Sequence, residues 1–519
     1  VVVRSTVTES ELLRAKGTIR VWLNGKCARR RLFYGLRGLV HRDGLGVYDA
    51  SVVNAERALK ERYLLVQKGG RFLPPIRPMD GFYTQECFSN FRENFSVIRP
   101  RVYSRLETAC LYSGAKRKVY LQAYESLMRE DLTPRDATLK MFVKFEKQDL
   151  KKAPRCINPR GPRYTLELAR YLKKLEKPCY EAINRMFHSR TVVKGMNCRD
   201  TASVIRRKWD SFDDPVAIGL DAVKFDMHVS VDALRFEHSV YNSIFGSNRL
   251  KRLLTWQIQN KGRAYFPDGK LEFSIQGTRS SGDINTSLGN VIIMCSILWT
   301  FKVLMPYRVE FINNGDDSVC FVERANLDDV LADLVWWCAQ AGFDITTEEP
   351  VDEFEEIEFC QTHPVFAQDG WRMVRNLDAV LRKDGLCLHP IANELSMRKW
   401  MYAVGDCNDK LHHGIPVLHA MAKAFKRNGV RCNERFLSYV HKNTSMEARL
   451  RGFHSKADIT PESRSSFYIA FGVKPDEQVL MEKWFDSYNF NYSVDSRLQE
   501  EMVLDFEPIN HLFTSVIEA

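Results

Sequence analysis

Short apolar runs bounded by turn residues mark the middle of the chain. Val216 to Leu220 in VAIGLDAVKFD, VEFIN at 309–313 and SVCFVE at 318–323 predict buried strands, the last two as arms of one hairpin. Apolar positions recur at helical spacing from Leu327 to Ala341 (LDDVLADLVWWCAQA) and from Ser51 to Val66, where Val52, Ala55, Leu59, Tyr63 and Val66 share a face. The longest apolar run, Val291 to Phe301, includes Ser296 and Thr300 and stops at Lys302; it is too short to span a bilayer and predicts a buried helix. Ser230 stands where it would cap a helix over VDALRFEHSVYNSIF. GGRFLPPIRP and APRCINPRGPR cannot be helical through their prolines and must run as loops or extended segments. Strand, helix, hairpin, helix predicts an α+β fold, an antiparallel sheet packed on one face by helices. Beyond about Asp378 the pattern turns mostly helical, as in VLHAMAKAFKRNG.

The hairpin raises a chemical question. Asn314-Gly315 predicts a type I′ turn, whose two central residues need φ > 0, and Asp316-Asp317 follow it. Gly-Asp-Asp arises by chance in roughly one chain in ten of this length, so the tripeptide alone decides nothing. Asp221 ends a buried strand, and Asp226 lies just before the Ser230 cap. If Asp221 meets Asp316 and Asp317, their mutual repulsion calls for divalent cations, magnesium first. A third element, GTRSSGDINTSLGN at 277–290, carries Ser280 and Ser281 in a glycine-flanked loop. Its Gly282, Thr286 and Asn290 are expected on one helix face that suits ribose recognition.

Charge sharpens this picture. The net charge of +11 divides unevenly: residues 1–200 hold 41 Lys and Arg against 20 Asp and Glu, and the rest hold 35 against 45. A basic front and an acidic back fit a polyanion, nucleic acid first, gripped beside metal-binding carboxylates. Thirteen cysteines without a Cys-x-x-Cys pair argue against a disulfide framework or structural zinc, and fit a reducing setting. The N-terminus lacks a secretory signal and an initiating Met, as expected for the downstream part of a longer product.

DAVKFD, SGDINTSLGN and NGDD, in this order, resemble motifs A, B and C of viral RNA-dependent RNA polymerases. FVKFEKQDLKKAPRCINPRGPRY resembles the basic motif F, LYSGAKRKVY a template-entry motif, AGFDITTEEP motif D and IEFCQTHPVF the primer-gripping motif E. The wording is most similar to the tombusvirus family, in its carmovirus-like group, over roughly residues 30–380. The resemblance implies a cupped right hand. Its parts would be 1–214 as fingers with the fingertips and NTP tunnel, 215–231 as palm with motif A, 232–275 as fingers, 276–377 as palm with motifs B to E, and 378–519 as a helical thumb.

It also implies roles. Asp221, Asp316 and Asp317, with the Ala222 carbonyl, would hold two Mg²⁺ ions, for which Mn²⁺ would be a substitute. Asp226, Ser281, Thr286 and Asn290 would select the ribonucleotide and place the template, and Lys144, Lys147, Arg155 and Arg160 would line the NTP tunnel. RNA template, nascent RNA and NTPs would be bound, with a membrane-anchored viral replication protein as partner in the host cytoplasm, at membrane-bound replication complexes. Initiation would need no primer. One departure stands out: motif D carries no lysine, Thr346 or Thr347 takes its place, and His363 is a candidate acid for the departing pyrophosphate. Two other classes stay open on the residues, a magnesium-dependent phosphohydrolase and a non-catalytic RNA-binding replication factor. A reverse transcriptase is disfavoured by Asn290 and by the lack of an aromatic residue before the aspartate pair.

Overall fold

The computed structural model describes residues 1–489, except 37, 38, 40–43 and 444–446; the last part of the expected thumb, 490–519, lies outside the described residues. Its centre is a four-stranded antiparallel sheet, ordered Val309–Asn314, Asp317–Glu323, Pro215–Ala222, Ile345–Thr347. The strands read as continuous apolar runs because both faces are buried, a correction to the expected single helical cover. On one face Ile218, Leu220, Phe311 and Cys320 join the largest core with Val291–Phe301. On the other, Ala217, Ile312, Val319 and Phe321 pack on the Cys198–Trp209 helix and on Phe354, Phe359 and Met373.

Helix Thr286–Leu304 is apolar and long enough to cross a membrane, but it is buried without a break from Leu288 to Leu298. Its apolar character is that of a core helix enclosed by protein. Helices Val231–Phe245, capped by the Ser230 hydroxyl, and Leu327–Gln340 flank it. Val52–Leu59 forms as expected, yet the chain continues as a π-helical turn, Lys60–Leu64, and Val66 starts a strand.

A second four-stranded sheet joins distant parts of the chain: Gly17–Leu23 pairs with Gly269–Gln276, which pairs with Gln259–Phe266, flanked by Leu139–Lys140. The C-terminal helices, including Glu394–His412, Leu418–Asn428 and Pro475–Ser487, build a separate core around Trp400, Met401, Phe425 and Phe485. Leu36 enters this core, and Tyr34–Gly35 pairs with Leu386–Cys387, so a segment near the start of the chain packs with the C-terminal helices.

Candidate active site

The sheet register brings the aspartates together. Asp221 lies directly opposite Asp317 on one side and Thr346 on the other. Opposed residues of an antiparallel pair project to the same face. Asn314 pairs with Asp317, so the hairpin loop is Gly315-Asp316, one residue later than expected. Gly315 has φ +94° while neither Asn314 nor Asp316 is left-handed, the pattern of a type II′ turn and a correction to the type I′ expectation. The cause is Asn313, fully buried, whose side chain accepts from the Gly315 N–H at 3.0 Å and donates to the Gly315 carbonyl at 2.8 Å. The left-handed pair occurs instead at Cys360-Gln361, φ +53° and +57°, between Phe359 and Thr362. That turn carries the Cys360 thiol to the Asn314 amide, 3.1 Å away, beside the carboxylates.

Asp317 is held above the ordinary carboxylate range by burial and then by the charge of Asp316, with Asp221 adding to it. Gly219 O accepts from the Glu348 N–H and Val223 N–H donates to Asp344 O, so these odd-numbered residues face Ile345–Thr347. Strand alternation then turns the Ala222 carbonyl toward the Asp316 side. This all-oxygen, anionic set fits a hard divalent cation such as Mg²⁺ or Mn²⁺. A second cluster, Asp409 with the imidazoles of His413 and His419, does not fit such an ion: Gly414 N–H donates to His419 Nδ1, which leaves the proton on Nε2, 3.3 Å from Asp409 Oδ1.

Beside the hairpin, Asn290 Nδ2 donates to Asp226 Oδ1 at 3.1 Å. Burial, only partly offset by this bond, raises the Asp226 carboxyl to about 6, and the Asp316 charge adds to the rise. The helix begins at Thr286, so Gly282 is not on its face, contrary to expectation. Gly282 instead lets the loop lie on the strip at Asn158-Pro159, where a Cβ would sit 2.7 Å from that backbone. The Thr286 hydroxyl is 3.0 Å from Ser280 O and 2.9 Å from Asp283 O, so its proton stays within the loop. Ser281 Oγ donates to Cys156 O at 3.0 Å and meets the Tyr63 hydroxyl at 3.0 Å.

The four cations of the basic strip divide. Lys144 and Arg155 both reach Glu146, at 2.7 and 3.4 Å, and Arg155 is near enough to Asp226 to stabilise its charge. Lys147 instead donates to the Lys383 and Leu386 carbonyls at 2.7 and 2.9 Å, tying the strip to the C-terminal helices; burial lowers its pKa to about 8. Arg160 is buried and spent on Asp283, Asn260 and the Ala137 and Trp256 carbonyls. The expectation that Lys147 and Arg160 line a tunnel does not match these contacts. In a chain this folded, a cation among prolines can satisfy carbonyls as readily as a ligand. Two cations missed in the sequence stand nearby: Arg62, held by Ala153 O at 2.7 Å, and Lys224, left-handed at φ +46° and bonded to Glu61 O.

Glu348 lies over Gly219, where a Cβ would be 2.1 Å from Oε2, and its carboxyl is raised by burial, then by Glu358 and Asp221. His363 bonds Glu355 O through Nδ1 at 3.1 Å and packs on Phe471, a structural tie between the hairpin Thr362–Arg375 and helix Pro461–Phe471.

Comparison with known proteins adds descent to geometry. Residues 19–493 match the family model described as viral RNA dependent RNA polymerase. The chain is 37% identical over 491 residues to the RNA-directed RNA polymerase of Cymbidium ringspot virus, covering 93% of this chain and 59% of that protein. It is 37% identical over 499 residues to that of Tobacco necrosis virus (strain D), covering 92% and 67%, and 35% over 498 residues to that of Turnip crinkle virus, covering 94% and 64%. The chain therefore spans only part of the length of these relatives, 59% in the first case. A match along nearly the whole chain, on a sheet that sets the motif aspartates side by side, has one reading: the chain belongs to the viral RNA-dependent RNA polymerase family.

Proposed function

We propose that this chain is an RNA-directed RNA polymerase that joins NTPs on a viral positive-strand RNA template. The observation that carries the reading is the register of Asp221 against Asp317, with Asp316 at the tip and the Asn290–Asp226 pair beside it. Asp221, Asp316 and Asp317, with the Ala222 carbonyl, would hold two divalent ions, Mg²⁺ or Mn²⁺. When bound, such ions lower the pKa of an attacking hydroxyl and offset charge on a transferring phosphoryl group. Arg155 and Lys144 face the incoming triphosphate and exchange Glu146 for it. Asp226 and Asn290 receive the ribose; a deoxyribose would leave their polar groups without a partner. A phosphohydrolase would not need that pair, and a non-catalytic RNA-binding factor would not need the aligned acids.

The proposal includes a right-hand arrangement with the borders given above. The sheet joining 17–23 to 259–276 supports interleaved fingers, and the separate C-terminal core supports a thumb. Primer-independent initiation, a membrane-anchored viral partner and synthesis at membranes in the host cytoplasm rest on family resemblance. Co-sedimentation with membranes only when such a partner is co-expressed tests the last two. For the chemistry, labelled NTP is supplied with a defined, unprimed RNA and Mg²⁺. The chain gives templated product and Asp316→Asn loses nearly all of it, by about a thousandfold or more. Equal product from the variant, or phosphate release without product, sinks the reading.

A further inference from the structure

We infer that the buried Arg279–Glu237 ion pair is the device that fixes which way the Asn290 amide points, and through it the chain's choice between ribose and deoxyribose. This rests on the polymerase reading and deepens it. Arg279 and Glu237 are 1% and 0% exposed, an expensive place for two charges unless geometry and further hydrogen bonds offset the desolvation. Glu237 is so provided for: Oε2 takes the Arg279 guanidinium, while Oε1 accepts from Tyr241 at 2.7 Å and Asn285 at 2.8 Å. Asn285 is in turn braced by Gln257 at 2.9 Å. Gly289 makes room for the pair, since a Cβ there would be 2.2 Å from Glu237 Oε1 and 2.3 Å from an Arg279 nitrogen.

A guanidinium can only donate. Arg279 Nε lies 2.9 Å from the Asn290 side chain, so the atom facing it must be Oδ1, and Nδ2 is left to face Asp226. The backbone adds a second tie: Arg279 N–H donates to Asp226 O at 2.9 Å, directly after Thr278 in the left-handed region at φ +71°. Asp226 thus has Oδ1 engaged, and among the described residues no hydrogen bond reaches Oδ2, the acceptor that a ribose hydroxyl would meet. With the amide reversed, Oδ1 of Asn290 would oppose the Asp226 carboxylate and the pair would repel. Arg279 and Glu237 touch no substrate in this scheme; they are positioning residues.

The test measures kcat/KM for NTP and for the matching dNTP on one RNA template, in the full chain. Arg279→Lys keeps a cation for Glu237 but cannot reach both partners with the same fork. Asn290→Asp keeps an acceptor for Arg279 but turns a second carboxylate oxygen toward Asp226. In each, discrimination against dNTP is expected to fall about tenfold, the scale of one buried hydrogen bond, to the level of Asn290→Ala. Adding Asn290→Ala to Arg279→Lys should bring no further loss. A purely structural role would lower both substrates alike and leave the ratio in place, and that result, or additive losses, overturns the inference. If Arg279→Lys does not fold, Asn290→Asp decides alone: wild-type discrimination refutes it. If the unsubstituted chain makes no product, the polymerase reading fails and this inference fails with it.

Discussion

At the scale of single residues, the site is built from groups held in costly states. Asp226 has its carboxyl raised to about 6, above the unfolded value near 3.9. Between those values the folded chain keeps a proton that the unfolded chain has released, so stability falls as pH rises from about 4 to 6, and the cost persists at neutral pH. Asp226→Asn should therefore melt roughly 2–5 °C higher than the unsubstituted chain at pH 7.5 and show no advantage at pH 4; a lower Tm at pH 7.5 would refute the assignment. Glu146 occupies Lys144 and Arg155 where a triphosphate is expected. Glu146→Gln should lower KM for NTP by up to about fivefold, the ceiling for a partly exposed ion pair. A raised KM would show that Glu146 orients those cations and does not compete for them. Asp221, Asp316 and Asp317 stood out in the sequence through the order of three motifs, whereas Arg279 did not. A lone arginine in a polar loop reads as solvated, and only its burial against Glu237 reveals otherwise.

Between elements, small residues and long cations decide how the pieces dock. Helix Thr286–Leu304 passes the Arg279–Glu237 pair at a distance that only Gly289 permits. Gly289→Ala should cost about 1–3 kcal/mol by overpacking, seen as a Tm drop of several degrees, with relaxed sugar discrimination as its companion. Lys147 gives the reverse case, an expected substrate contact that became a tether. Lys147→Met should speed amide exchange over 383–388 and raise KM for NTP less than Lys144→Gln does; the opposite order would return Lys147 to the tunnel. Strand and helix positions followed from apolar pattern, including Pro215–Ala222, the hairpin arms and Leu327–Gln340. The turn did not, because Asn313 and Asn314 are equivalent in composition and only strand register makes the first the buried brace.

For the whole molecule, the basic first part and the acidic remainder should make RNA binding strongly salt-dependent. With three or more phosphates neutralised, affinity for single-stranded RNA should fall at least about tenfold between 50 and 200 mM salt. A flat response would mean that the front-half charge is not an RNA grip. The sequence by itself determined most strands and helices of the central region, the motif order and the chain positions of the aspartates, because hydrophobic period acts within a few residues. Tertiary structure alone decided which cations of the basic strip reach Glu146 and which are tied elsewhere, that both faces of the central sheet are covered, and that residues 34–36 pack with the C-terminal helices. Those outcomes depend on pairing and burial between segments hundreds of residues apart, where the same lysine or arginine can satisfy a carbonyl, a carboxylate or a ligand, and only the packed surroundings choose.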